Sequence, residues 1–100
     1  MKKNRHDKIL EIIEKHEIET QGELAQRLRD SVLSVDTAQN ILVIKTGSGM
    51  AMAAAAALDN LKLPEVVGSI AGDDTIMAAV RTADETVYLM EKISRMLEEE

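Results

Sequence analysis

The sequence predicts an α+β fold: an N-terminal helical pair followed by a two-layer ββαββα domain with a four-stranded antiparallel sheet. Three observations carry this. Apolar residues in the first 30 positions recur at helical spacing. After Asp30, short β-prone runs alternate with two longer helix-favouring stretches. The chain has 100 residues, one small domain and a fraction, too few for two comfortable globular units. We place the boundary between a helical segment over 1–30 and an α+β domain over 31–100.

Ile9, Ile12, Ile13 and His16 follow i, i+3, i+4, i+7 spacing and give a helix with one apolar stripe. Glu17-Ile18-Glu19 interrupts it. Thr20-Gln21-Gly22-Glu23 then has the pattern of a capping box, in which the Thr hydroxyl satisfies a free N–H and the Glu reaches back. The second helix runs through Leu24, Ala25 and Leu28. Two short helices with one stripe each bury no core of their own and need a third partner.

Val32 to Ala38 alternates as a short strand, Gln39-Asn40 makes a turn, and Ile41 to Thr46 is strongly β-prone. Gly47-Ser48-Gly49 is a loop. Met50 to Leu61 is Ala-rich and free of β-branched residues, so helix is favoured. Pro64 keeps the chain from resuming it. Val66 to Ala71 and Thr75 to Val80 are strands around a Gly72-Asp73-Asp74 turn. Thr82-Ala83-Asp84-Glu85 is a second capping box. The last helix carries Leu89, Met90, Ile93, Met96 and Leu97 on one face. Two helices on one face of an antiparallel sheet complete a two-layer domain.

Composition excludes several function classes. Tyr88 is the single aromatic residue, which rules out a stacking platform for single-stranded nucleic acid. The core must use Ile, Leu, Val, Ala and Met, with Met50, Met77, Met90 and Met96 filling gaps. There is no Cys, which excludes disulfides, thiolate catalysis and Cys-based zinc sites. Residues 1–30 carry seven basic and seven acidic side chains, so the whole net charge of −6 falls on residues 31–100. That balance argues against a wholly basic nucleic-acid wrapper. No apolar signal core follows Met1, and the longest apolar run, Met50 to Leu58, is far short of the ~20 residues of a membrane span. A cytoplasmic protein with no membrane partner is expected.

Four features bear on chemistry. Gly72-Asp73-Asp74-Thr75 sets two carboxylates side by side, where they repel. As structure it is a polar type I′ turn; as a site it is a place for a cation. A guanidinium, with five donors in a planar fork, and a divalent metal, which wants oxygen ligands, both suit it. Asp59 adds a third carboxylate if its helix ends beside the turn. The Ala block, Ala51 and Ala53 to Ala57, suits a small-residue core face, close approach between subunits, or a ligand at the helix start. Lys2, Lys3, Arg5 and Lys8 suit either a solvated helix start or phosphate contacts. His6 and His16 lie ten residues apart on one helix, about 15 Å along its axis, and cannot chelate one metal. No Ser/His/Asp arrangement with a nucleophile emerges, and no enzyme is expected.

Both segments resemble the bacterial arginine repressor family. The N-terminal likeness rests on Arg5-His6, Lys8-Ile9, Glu11-Ile12-Ile13, Ile18-Glu19-Thr20-Gln21 and Glu23-Leu24 to Leu28. The C-terminal likeness covers Val32 to Leu97. It is carried by Ile44-Lys45-Thr46, Gly49, Leu58-Asp59-Asn60-Leu61 and above all Gly68 to Ile76. The resemblance implies an arginine-dependent transcriptional repressor of arginine metabolism genes, with a winged helix-turn-helix reader and an effector domain. That domain trimerises and binds L-arginine, the co-repressor, between two trimers to form a hexamer. It implies a site of Asp73, Asp74 and Asp59, with Gly49, Ala51, Met52 and Thr75 around them and no metal. Lys2, Lys3, Arg5 and Gln21 become the candidate DNA contacts.

The departures also carry meaning. Where the family continues into a recognition helix, a wing and a linker, this chain passes from Asp30 directly into Ser31-Val32-Leu33. Base contacts specify an operator, and the recognition helix is what makes them. Met52 stands where the family often has Gln, and Ser48 where it commonly has Pro. Two roles follow: a regulator with residues 1–30 still part of a reader, or a stand-alone amino-acid-binding oligomerisation module without specific DNA binding. A full-length homologue is a further candidate partner, in mixed hexamers.

Overall fold

Alternation along the strands decides the layers. In β2 (Ile41–Thr46), Leu42, Ile44 and Thr46 are buried and the residues between them are not. β4 (Thr75–Val80) repeats the pattern with Ile76, Ala78 and Val80. A period of two puts these six side chains on one face of the sheet. The computed structural model describes residues 22–98, comprising a helix over 22–31, here α1, and then β1 (Val32–Ala38), β2, α2 (Ala51–Asn60), β3 (Val66–Ala71), β4 and α3 (Ala83–Glu98). The strands form one antiparallel sheet in the order β1-β2-β4-β3. The α+β class and the ββαββα order read from the sequence are those observed.

α3 lies over β1 and β2, and α2 over β3 and β4. α3 buries Leu89 and Ile93 as its periodicity requires, and Thr86 with them. Thr82 caps it, its Oγ1 accepting the Glu85 N–H at 3.0 Å. α2 buries Ala51, Ala54, Ala55, Ala57 and Leu58. Such small residues let its backbone ride close to β3 and β4.

The two edge strands each carry a bulge. The register shifts between Val32 and Ser34 in β1 and between Val66 and Gly68 in β3. The extra residues, Leu33 and Val67, are turned outward, 75% and 63% exposed. The alternation expected across Val32–Ala38 therefore fails at Leu33. Of the four methionines expected to fill core gaps, Met90 and Met96 pack against the core. Met77 points to the opposite face of the sheet and Met50 caps α2, both exposed.

α1 supplies what the sequence left open. Leu24 and Leu28 are buried in the same cluster as Leu42, Ile44 and Leu89. Ser31 is also buried, with Oγ donating to the Arg27 carbonyl at 2.6 Å. Arg29 Nη1 donates to the Met96 carbonyl of α3 at 3.1 Å, a cation near a helix C-terminus. The partner α1 needs is thus the α+β domain, and β1 follows it without a linker. The helix runs one residue past the boundary read at residues 30 and 31, through Ser31, and packing crosses that boundary. The helix expected around Ile9 to His16, the Thr20 cap, and Lys2, Lys3, Arg5 and Gln21 lie outside the described residues.

Candidate functional site

The β3–β4 turn is sewn to the loop between β2 and α2. Thr46 N–H donates to the Asp74 carbonyl at 2.7 Å and Ala51 N–H to the Asp73 carbonyl at 3.2 Å. Met50 N–H donates to the Gly47 carbonyl at 3.1 Å, and Gly47 N–H to the Ser31 carbonyl at 3.1 Å. Four elements therefore fix the turn: α1, β2, the start of α2 and the hairpin itself. Gly49 sits at φ +76°, a conformation that only Gly adopts without strain, and lets the loop swing into α2.

The turn is not the type I′ that Gly and Asp suggested. None of Gly72, Asp73 and Asp74 has positive φ, which type I′ requires at both central residues. Two aspartates in succession sit more cheaply at negative φ. Gly72 N–H donates to the Thr75 carbonyl at 2.9 Å and closes the hairpin.

The two carboxylates are held by different hydroxyls. Ser48 Oγ donates to Asp73 Oδ2 at 3.2 Å, towards the loop before α2. Thr75 Oγ1 donates to Asp74 Oδ1 at 2.9 Å. Lys45 Nζ in turn donates to Thr75 Oγ1 at 2.9 Å. Lys45 and Thr75 are cross-strand partners, so this contact lies on the sheet face away from the helices. Both aspartates are exposed and so open to a ligand.

The remaining candidates divide. α2 begins beside the turn rather than ending there, so Asp59, near its far end, is about 12 Å along the helix axis from Ala51. The condition for a third carboxylate at the turn is not met within one chain. Asp59 instead accepts from Ser69 Oγ at 3.1 Å and borders a separate depression with Lys62, Leu63, Val66 and Gly68. Ala51 is fully buried, and its N–H is bonded to Asp73, so it braces the turn. Met52 is 73% exposed, one residue into α2, and offers an apolar surface there. Among the described residues, no group of three or more His, Cys, Asp or Glu is arranged to hold a metal, and no helix is long and apolar enough to cross a membrane.

The outer sheet face runs from this turn. Ile41, Val43, Met77, Ala79 and Ile70 point outward along it, and a shallow apolar concavity opens where Gly68 and Ala79 are small. Ile70 and Met77 are 79% and 52% exposed. Sequence reasoning missed Lys45, Ser48 and this face. No local sequence signal marks Lys45 or the face; the strand register pairs Lys45 with Thr75 and Ile70 with Met77.

Comparison with known proteins gives a consistent picture. Residues 28–95 match the arginine repressor C-terminal domain, and residues 1–40 match the arginine repressor DNA-binding domain. Similar proteins include the arginine repressors of Lachnoclostridium phytofermentans and Lachnospira eligens. Each is 38% identical over 148 residues, covering 97% of this chain and 97% and 98% of the relative. The arginine repressor of Alkaliphilus metalliredigens is 35% identical over 147 residues, 96% of this chain and 99% of its own length. These alignments are longer than the 100-residue chain, so about a third of each lies opposite no residue here. Both ends of the relatives are covered, so the unmatched stretch is internal. The two domain matches overlap at residues 28–40, the junction of α1 and β1.

Proposed function

Because the chain belongs to the arginine repressor family of transcriptional regulators, we propose that it binds L-arginine at the Asp73-Asp74 turn and self-assembles through the outer sheet face. The observation that carries the first part is the pair of exposed carboxylates, each oriented by its own hydroxyl. Two carboxylates accept the planar guanidinium through charge-assisted bonds. Gly49 and Met52 border the ligand, with Ala51 and Thr75 bracing the turn, and L-arginine is the co-repressor. Asp59 joins from another subunit, since its own chain keeps it away from the turn.

The assembly is a trimer that arginine ties into a hexamer. An apolar sheet face uncovered in the single chain supports this, because monomers seldom expose contiguous apolar surface of that kind. A ligand held between trimers stabilises the hexamer by its preference for that state. Sedimentation with and without L-arginine tests it. The expected outcome is a rise in mass or in melting temperature, by about 2.7 kcal/mol of stability at one hundred times Kd. Unchanged mass and stability would refute it. Asp74→Ala should abolish the calorimetric arginine signal and leave the fold intact.

The chain acts in the cytoplasm as a repressor of arginine metabolism genes with impaired operator recognition. A second reading is favoured by one observation: α1 is part of the effector core, joined to β1 without a linker. On that reading the chain is an amino-acid-binding oligomerisation module that forms mixed hexamers with a full-length homologue and lowers its DNA affinity. An electrophoretic shift with operator DNA separates the two. Specific nanomolar retention by this chain alone would sink the second reading.

A further inference from the structure

We propose that Lys45 is a positioning residue for the Asp74 carboxylate, acting through the Thr75 hydroxyl, and that it sets how tightly the turn takes a guanidinium; this rests on the arginine-binding reading above. Lys45 Nζ lies 2.9 Å from Thr75 Oγ1, and Thr75 Oγ1 lies 2.9 Å from Asp74 Oδ1. An ammonium only donates and a carboxylate only accepts, so the chain of bonds has one possible polarity. The single hydroxyl proton goes to Asp74, and the hydroxyl lone pair faces Lys45. Each bond polarises the next and strengthens it.

The backbone supports this order at both ends. Lys45 and Thr75 are paired residues of β2 and β4, and Thr46 N–H holds the Asp74 carbonyl one step away. Thr75 is β-branched and half-buried, which limits its rotamers. An exposed aspartate without such a hold rotates freely, and a ligand must order it on binding. A carboxylate already ordered spares that cost.

A second effect opposes the first, because the Lys45 ammonium repels a ligand cation. At an exposed site in water that repulsion is worth less than about threefold in affinity. Having to order the Asp74 side chain on binding costs a few-fold, up to about tenfold. Positioning therefore wins, and removing Lys45 weakens binding although it makes the turn more acidic.

The test is calorimetric titration of the full chain with L-arginine. Lys45→Met removes donor and charge and should weaken binding about threefold, the net of the two effects. Lys45→Arg keeps both and should stay near wild type. Lys45→Gln keeps a donor without charge and should bind as well as wild type or slightly more tightly. Melting temperatures should match across the series, which a merely structural role would not give. In a Thr75→Val background, Lys45→Met should cost nothing further, since the path through the hydroxyl is gone. Equal or tighter binding by Lys45→Met, or full additivity with Thr75→Val, overturns the proposal. Failure of the wild-type chain to bind L-arginine would instead overturn the reading on which it rests, and the Asp74→Ala control tells the two failures apart.

Discussion

On the inner face of the sheet, Leu42, Ile44, Ile76, Ala78 and Val80 are sealed beneath the helices, whereas on the outer face Ile70 and Met77 stand 79% and 52% exposed. The same strands build both. An antiparallel sheet with one face in water ordinarily alternates apolar and polar residues. Here the outward positions of β2 and β4 include Ile41, Val43, Met77 and Ala79, with Lys45 and Thr75 at the end beside the acidic turn. The inner face is explained by the fold of one chain. The outer face leaves apolar side chains that the fold of one chain does not cover, with a polar end at the acidic turn.

The largest expected effect breaks or keeps that distinction directly. Ile44→Ala on the inner face should cost about 2–5 kcal/mol, from lost burial and the cavity left behind. The same kind of truncation, Ile70→Ala, should cost within about 0.5 kcal/mol in dilute, monomeric protein. Urea titrations at low and high concentration measure both. A large Ile70 effect that appears only at high concentration marks the outer face as an interface, since assembly adds to apparent stability by mass action.

Next comes α1. Leu28 is fully buried in the same core, so Leu28→Ala should cost about 2–4 kcal/mol and lower the melting of the whole domain in one transition. A near-neutral result would show that α1 is dispensable to the α+β domain. Met77→Lys should then leave far-ultraviolet circular dichroism unchanged but reduce the sedimenting mass. Retained mass would remove the outer face from the assembly.

These contrasts also separate what the sequence made legible from what it did not. The strands and helices followed from periodicity: Leu89 and Ile93 fall four apart, and Ile76, Ala78 and Val80 two apart. The acidic turn was legible because adjacent aspartates between two β-prone runs are chemically conspicuous. The docking of α1 was not, because Leu24 and Leu28 announce the need for a partner without naming it. Nor was the place of Asp59, which depends on the direction in which α2 leaves the turn. The Lys45–Thr75 contact depends on register, thirty residues apart in sequence, and no local pattern encodes it. The outer face was hidden by its own composition. Ile41-Leu42-Val43-Ile44 is apolar at four consecutive positions, so alternation cannot say which side is covered.

The smallest expected effects lie at the sheet edges, and they sharpen the comparison most finely. Leu33 and Val67 belong to neither face, since each is the extra residue of a bulge and is turned outward. A bulge twists an edge strand and spoils it as a template for pairing with another strand. If that is the role of both bulges, the side chains are incidental, and Leu33→Thr and Val67→Thr should each change stability by less than about 0.5 kcal/mol at any concentration. A loss confined to high concentration would extend the interface from the outer face to the edges. A loss of more than about 1 kcal/mol in dilute monomer would mean that a bulged residue packs against the core after all, because only burial gives an aliphatic truncation that weight.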